Sequence, residues 1–289
     1  MPLNSDIVVI SDTSCDYSAD QAETAGFSMV PLSVTFGDET LLDGLELSPA
    51  QFYKRLAKMD GLPKTSQPSP DSFMRVFEKY ANAKHIICIT VTGVSSGTVR
   101  SAQLAAGLLK EKGFAPEIHV IDSCNASAAI GLMAETACDM VRAGCDIDRI
   151  LGRLYEMQHT TALYFLLDTL EYVRKGGRIG NISAVFGQLL GIKPLLTFLE
   201  GAPTDIAKCR GYKQATVKLI QKFLDTAANL REVIIVHADA PAAAAALAAE
   251  LKLRVKDIKI RIHAAGAIIG TYAGPGAIGL AFEEKSVRW

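Results

Sequence analysis

The chain has 289 residues, of which 49% are hydrophobic and 21% are charged. A chain of this size and composition can bury a sizeable core in one large domain or two ordinary ones. The formal net charge is −1 and the cations form no evident stripe, which argues against nucleic-acid binding as the main role.

The cysteines and histidines favour neither a disulfide framework nor a metal site. None of the six cysteines forms a C-x-x-C pair and several lie in apolar runs, so we expect reduced core thiols in a cytoplasmic protein. The five histidines show no paired spacing, and no metal ion is expected. Residues 1–11 lack the basic flank of a signal peptide. The longest apolar stretch, residues 240–251, contains Glu250, so no membrane-spanning segment is expected.

The first half of the chain alternates short β-branched runs with amphipathic segments. The predicted strands are residues 7–13, 85–92 and 117–123, and residues 27–37 are predicted as one strand or a pair of strands. The predicted helices are residues 18–26, 48–59, 70–80, 96–113 and 125–144. This alternation predicts a mostly parallel sheet with helices on both faces.

The order of elements changes near residue 150. The sequence then predicts a helix over 146–161, a strand over 162–168, a helix that stops at the double glycine 176–177 and a short apolar helix over 183–191. Residues 192–201 are predicted as a strand or one arm of a hairpin. Helices and strands alternate over 213–266, and the glycine-rich turn 270–279 leads into a final apolar segment. We therefore predict two α/β domains, residues 1–150 and 151–289.

The stretch LPKTSQPSPDSF, residues 62–73, contains more polar groups than a helix start requires. Ser69 can cap a helix whose first position is Pro70. That interpretation gives no role to Thr65, Ser66 and Gln67.

Three junctions between a strand and a helix are rich in Ser, Thr, Asp or Gly: residues 11–16, 92–98 and 121–127. Ligands of open α/β sheets bind beyond the carboxyl ends of strands, and helix N-termini favour anions. Helix capping alone produces such junctions too, and for any one of them capping is the favoured interpretation. None has a phosphate-loop or G-x-S-x-G pattern.

Two glycine-rich segments have similar alternatives. RKGGRIG, residues 174–180, is typical of a helix C-terminus that carries positive charge and ends at glycine. The alternative is an exposed basic turn that meets an acidic group. GTYAGPGAIG, residues 270–279, has more glycine than a turn needs, which favours close approach of its backbone to a ligand or to the other domain.

In combination, SDTSCD, KTSQPSPDSF, SSGTVRSA, VIDS, YVRKGGRI, IKPLL and AGPGAIGLAF closely resemble the DegV family over nearly the whole chain. The resemblance implies a long-chain fatty acid as ligand, with its tail in an apolar tunnel of the C-terminal domain. It also implies a non-catalytic protein, without a cofactor, that presents the carboxylate to a separate fatty acid kinase subunit. The acyl-phosphate would then enter phospholipid synthesis.

The resemblance also assigns residues. Thr65 and Ser96 would donate hydrogen bonds to the carboxylate, with Gly97 and Ser95 beside them. Tyr272 stands where the family commonly has His, and a tyrosine carries no positive charge near neutral pH. Arg210 falls in a region where relatives carry a basic residue near the head group, and it would supply that charge. Apolar side chains of residues 183–199 would line the tunnel.

Two other functions remain open at the level of sequence. One is an esterase or acyltransferase with Ser96 as nucleophile, which would need His85, His119 or His237 close to it. The other is a lipid-sensing regulatory module on the same fold, which would bind lipid but no kinase.

Overall fold

The computed structural model describes residues 6–182 and 192–285 of the chain. The strands are β1 Ile7–Asp12, β2 Ser28–Val30, β3 Ser33–Phe36, β4 Glu39–Leu42, β5 Lys64–Ser66, β6 His85–Thr90, β7 Glu117–Asp122, β8 Thr161–Leu166, β9 Ile192–Leu199, β10 Ala202–Arg210, β11 Glu232–His237, β12 Lys259–Ala264 and β13 Ile278–Glu283. The helices are α1 Ala19–Ala25, α2 Pro49–Leu56, α3 Pro70–Glu78, α4 Thr98–Glu111, α5 Ala128–Arg142, α6 Ile147–Thr160, α7 Glu171–Lys175, α8 Tyr212–Thr226, α9 Pro241–Arg254 and α10 Ala267–Ala273, and a 3-10 turn spans Thr13–Cys15.

The first sheet is parallel throughout, with strand order β2-β1-β6-β7. Its strands are buried on both faces, which explains their continuous apolar sequences. Ile86 and Cys88 pack with residues of α3 and α4, whereas Ile87 and Ile89 pack on the face that carries α5. The prediction of a parallel sheet with helices on both faces is confirmed.

The second sheet is mixed, with strand order β10-β9-β8-β13-β11-β12. Only the pair β11–β12 is parallel within it. One face packs against α8 and α9. The other face meets α5, which also contacts β1 and β6 of the parallel sheet. The fully buried alanines of α5, such as Ala129 and Ala134, suit a helix enclosed between two sheets.

The helix starts follow their capping signals. Ser18 and Ser48 form reciprocal capping boxes with Gln21 and Gln51. Ser69 accepts a hydrogen bond from the amide of Ser72 at the start of α3. These caps explain why the predicted helix starts agree with the structure.

A third sheet was not predicted. It is antiparallel, has strand order β4-β3-β5, and pairs Val34 with Thr65. Thr65 therefore lies on a strand rather than in a loop. The three residues of β5 are too few to show alternating hydrophobicity, and their partner is distant along the chain.

The chain passes from the parallel sheet to the mixed sheet through α5 and α6, which lie between β7 and β8. The largest buried core nevertheless contains residues from both sides of residue 150, including Val9, Ile89, Leu163 and Val236. A domain boundary near residue 150 stays a prediction.

Other expectations concern single segments. The helix predicted over residues 183–191 lies outside the described residues. All six cysteines are free thiols. Within residues 6–182 and 192–285, no helix combines the length and the apolar character needed to cross a bilayer.

Candidate functional site

A cavity of about 360 Å³ lies between the carboxyl end of β6 and the mixed sheet. Its apolar lining residues are Leu32, Val91, Ala126, Leu163, Phe165, Leu167, Val173, Ile182, Phe198, Pro203, Val236, Ala238, Ala265, Ile268, Ile269, Ala273, Ala277 and Ile278. Most of them follow residue 150, but three precede it. The prediction that residues 151–289 enclose the acyl chain stays a prediction. The cavity lies where the two sheets converge, so loops of the parallel sheet complete its wall.

The cavity has a polar end and an apolar interior. The polar lining residues are Thr65, Ser66, Gln67, Thr92, Ser95, Ser96, Ser127, Arg178, His237 and Tyr272, together with the backbone of Gly97. Thr65, Ser96 and Tyr272 are partly exposed, and Arg178 is exposed. Leu163 and Val236 are buried. A ligand with one polar end and a long apolar body would match this division.

Thr65 and Tyr272 meet at the polar end. Their hydroxyl oxygens are 2.5 Å apart, although one lies on β5 and the other on α10. Two hydroxyls that share one hydrogen bond consume one of their two hydrogens between them. The second hydrogen is left for a ligand. The ring of Tyr272 lies against Gly176, where a Cβ would overlap it, so the first glycine after α7 makes room for this side chain.

Ser96 lies in the loop between β6 and α4. The amide of Thr98 donates to Ser96 Oγ at 3.3 Å, and the two hydroxyl oxygens are 2.8 Å apart. Because Ser96 Oγ already accepts from an amide, its own hydrogen can be donated to Thr98 or to a ligand. The helix α4 begins immediately after this loop, and its N-terminus favours negative charge.

Gln67 explains the glycine at position 97. A Cβ on Gly97 would overlap the side-chain amide of Gln67, which also donates to Ser101 Oγ at 2.9 Å. The contact holds the segment after β5 against the start of α4. Sequence patterns assigned no role to Gln67. In the structure its side chain connects the segment that carries Thr65 to the loop that carries Ser96.

The cation that lines this end is Arg178. Arg178 lies on the glycine-rich turn after α7, its guanidinium carbon is 5.0 Å from the centre of the Tyr272 ring, and its Nε donates to Ser95 O at 3.3 Å. Arg210 is exposed at the last position of the edge strand β10 and is not among the residues that line the cavity. A role of Arg210 at the head group stays a prediction. The RKGGRIG pattern was the signal that could have identified Arg178.

The side chains around the polar end are hydrogen-bond donors and a cation. None of the described lining residues is Asp or Glu, so hydroxyl donors, a helix N-terminus and one guanidinium face the ligand. His237 also lines the cavity, where burial lowers the pKa of its imidazole and Nδ1 accepts from the Ala240 amide. Among the hydrogen bonds of the described residues, Ser96 Oγ bonds to Thr98 and not to a histidine. His85 and His119 bond to each other at the amino ends of their strands.

The tunnel-lining segment predicted from sequence is only partly described. Residues 183–191 lie outside the described residues. In β9, Phe198 lines the cavity, whereas Leu195 and Leu196 are buried without lining it. Strand alternation explains part of this difference, because successive side chains point to opposite faces of the sheet.

Comparisons with a family model, with related sequences and with solved structures agree on one family. The model of the DegV family, described as an uncharacterised protein family, matches residues 6–285. A DegV domain-containing protein of Deinococcus radiodurans is 32% identical over 285 residues, which cover 97% of this chain and 99% of the relative. The solved structure of a DegV family protein from Thermus thermophilus, described by its fatty acid binding, superposes with a TM-score of 0.85 at 28% identity, covering 96% of this chain and 99% of that one. The Fatty Acid Kinase (Fak) B3 protein of Streptococcus pneumoniae, solved with linoleic acid, has a TM-score of 0.82 at 25% identity and coverage of 96% and 99%. The chain therefore belongs to the DegV family.

Proposed function

We propose that this protein binds a long-chain fatty acid, with the acyl tail in the cavity and the carboxylate at the polar end formed by Thr65, Ser96, Tyr272 and Arg178. The observation that carries the proposal is the division of the cavity into a buried apolar interior and a partly exposed end that offers donors and no acidic side chain. Ser95 and Gly97 supply backbone that shapes this end.

The free energy of binding such a ligand would have an apolar contribution from the tail and a polar contribution from the carboxylate. Burying a sixteen-carbon tail at about 0.8 kcal/mol per CH₂ gives a gross gain on the order of 12 kcal/mol, before the costs of association. A buried carboxylate without donors would lose several kcal/mol of that gain. Hydrogen bonds to a charged acceptor offset this loss, at about 1.5–3 kcal/mol each. The donors therefore decide whether an acid or an uncharged lipid is preferred.

We further propose that the protein is a non-catalytic, cytoplasmic carrier that presents the carboxylate to a separate kinase subunit. The polar end is the exposed end of the cavity, so a second protein could reach the carboxylate while the tail stays buried. The kinship with the Fak B3 protein of S. pneumoniae supports this part of the proposal. The product would be an acyl-phosphate, formed by transfer of a phosphoryl group from ATP to the carboxylate.

Mass spectrometry of the purified protein tests the binding function. The native mass should exceed the sequence mass by one fatty acid, and solvent extraction should release a C14–C18 acid in about equimolar amount. A protein that is empty and does not take up added fatty acid would contradict the proposal. Release of free acid from an added acyl ester, abolished by Ser96→Ala, would instead favour the esterase alternative.

A further inference from the structure

The amino end of the parallel sheet carries a cluster of side chains that the acyl site does not use. His85 begins β6, and Glu117 and His119 lie at the start of β7. The two strands are parallel neighbours, with His85 paired to Glu117 and Ile87 paired to His119. Because every second residue of a strand shares a face, all three side chains lie on the same face of the sheet.

Their donor atoms converge on one point. His85 Nδ1 is 3.2 Å from His119 Nε2, and Glu117 Oε2 is 3.6 Å and 3.9 Å from these two nitrogens. Two ligands of a tetrahedral zinc ion, each about 2.0–2.1 Å from the metal, lie roughly 3.3 Å apart. Small side-chain rotations would therefore bring all three atoms into coordination. We propose that His85, Glu117 and His119 form a binding site for a divalent transition cation of the zinc class.

The surroundings favour a cation. Asp148, near the start of α6, places a further negative charge close to His119. The neighbouring cation Lys84 is engaged in an ion pair with Asp6 at 2.8 Å. Both histidine side chains are mostly buried, at 24% and 16% exposure, whereas Glu117 is exposed at 69%. The imidazoles are therefore held in place, and the carboxylate can adjust to the metal.

The ligand types select the metal class. Two imidazoles and one carboxylate suit zinc and its neighbours better than calcium or magnesium, which prefer oxygen ligands. Three protein ligands leave at least one position for water or another molecule. Histidine spacing along the sequence predicted no such site, because the pattern E-x-H at 117–119 is completed by a distant histidine only when β6 and β7 pair.

The site is separate from the acyl cavity. The polar end lies beyond the carboxyl end of β6, and the cluster lies at its amino end. Six residues of a strand span on the order of 17–20 Å. Metal binding and fatty-acid binding can therefore be tested independently.

The test is a metal titration of the tag-free, full-length protein after treatment with a chelator. Zn²⁺ is added in competition with a chromophoric indicator, and Co²⁺ is added to record its visible d–d absorption. We expect one saturable equivalent, and visible bands typical of coordination by nitrogen and oxygen at low coordination number. His119→Ala should lower the affinity at least 10-fold, and His159→Ala is the matched control, because His159 is exposed on α6 outside the cluster.

Glu117→Gln is a second variant in case His119→Ala does not fold. The Glu117 side chain is exposed and is not part of the core, so this variant should fold. It removes the anionic ligand while keeping the size of the side chain, and the affinity should again fall about 10-fold or more. Absence of a saturable equivalent in the wild-type protein would overturn the proposal. Equal affinities of the wild-type, His119→Ala and Glu117→Gln proteins would overturn it as well, since the metal would then bind elsewhere.

Discussion

The junctions after β1 and after β6 are both rich in Ser and Thr, but only the first contains carboxylates of its own. After β1, Asp12 accepts from Val91 N at 2.8 Å, and Asp16 accepts from Gly266 N at 2.7 Å. After β6, residues 92–98 contain no Asp or Glu, and the five residues other than glycine are Thr, Ser or Val. Ser95, Ser96 and Gly97 line the cavity.

The third junction, after β7, forms hydrogen bonds with both of the others. Asp122 accepts from the amides of Gly93 and Cys124, each at 2.9 Å, and Ser127 donates to Asp16 at 2.5 Å. Ser, Thr and Gly at a strand end therefore do not by themselves make an anion site. The candidate site lies at residues 95–97 of the β6 junction, which the described hydrogen bonds do not join to a carboxylate of the chain.

The largest effect should come from breaking the β1 junction. Asp16 is buried at a positive φ of 57°, and it accepts hydrogen bonds from Ser127 Oγ and Gly266 N. Asp16→Ala leaves two buried donors unsatisfied and puts alanine in the left-handed region, so we expect the free energy of unfolding to fall by about 3–6 kcal/mol. Chemical denaturation measures this loss.

Asp16→Asn is the matched control for that experiment. Asparagine tolerates the left-handed conformation and keeps one acceptor oxygen, so its loss of stability should be clearly smaller. Equal stability of the wild-type and Asp16→Ala proteins would show that the carboxylate of Asp16 does not stabilise the fold.

The next effect should come from the β6 junction and should appear in binding instead of stability. Thr65→Ala combined with Ser96→Ala removes two donors from the polar end, which corresponds to about 3 kcal/mol or roughly 100-fold in affinity for a fatty acid. Both side chains are partly exposed, so the free energy of unfolding should change by less than about 1 kcal/mol. Titration with a fluorescent fatty acid and denaturation of the same variant measure the two quantities.

The control for the double variant is Ser69→Ala, which removes a hydroxyl from the same polar stretch but outside the cavity. It should lose some stability through the helix cap and none of its affinity for fatty acid. An affinity of the folded double variant equal to that of the wild type would remove Thr65 and Ser96 from the site.

A third test uses the pH dependence of stability to examine Asp43, a buried structural carboxylate. Burial raises the pKa of Asp43 from 3.8 to about 6, although its Oδ1 accepts from the Ala267 amide at 2.9 Å. The folded protein therefore holds this proton more tightly than the unfolded chain. The resulting stabilisation is complete below about pH 4 and is lost as the pH rises through about 6.

Asp43→Asn removes this titration while keeping an acceptor oxygen. The wild type should gain about 2 kcal/mol relative to the variant between pH 7.5 and pH 4.5, and urea denaturation at the two pH values measures that difference. Parallel stability curves for the two proteins across this range would contradict the assignment of a raised pKa to Asp43.

The smallest effect should come from Tyr272, which contributes one hydroxyl and stacks beside Arg178. Tyr272→Phe removes the partner of Thr65 but frees the threonine hydrogen for the ligand, so the affinity for fatty acid should fall less than about fivefold. Tyr272→His should bind at least as tightly as Tyr272→Phe, because imidazole can donate a hydrogen bond. Isothermal titration calorimetry compares the three proteins, and a loss as large as that of the Thr65 and Ser96 double variant would make Tyr272 the principal donor.

The sequence predicted most of the fold, since its signals are local. Capping boxes at Ser18 and Ser48 and the apolar runs of the parallel sheet appear in the structure as expected. The strand β5 was missed because three residues at a sheet edge carry no periodic signal. The resemblance to a known family, more than the residues alone, brought Thr65, Ser96 and Tyr272 together.

Two residues of the site were missed for a common physical reason. Arg178 and Gln67 make contacts with residues far away in sequence, the ring of Tyr272 and the backbone of Gly97. Such contacts depend on how loops meet after the sheets pack, which local patterns do not encode. Arg210 was chosen for its charge and its region of the chain, and it is not among the residues that line the cavity.

The most direct test of the account is the preference of the protein for an acid over its ester. The affinities of palmitic acid and methyl palmitate are measured for the wild type and for the Thr65→Ala, Ser96→Ala double variant. The wild type should prefer the acid by roughly 100-fold and the double variant should lose most of this preference, because the tail is unchanged and only the donors differ. Equal acid-to-ester ratios for the two proteins would contradict the proposed head-group site and would place the carboxylate elsewhere.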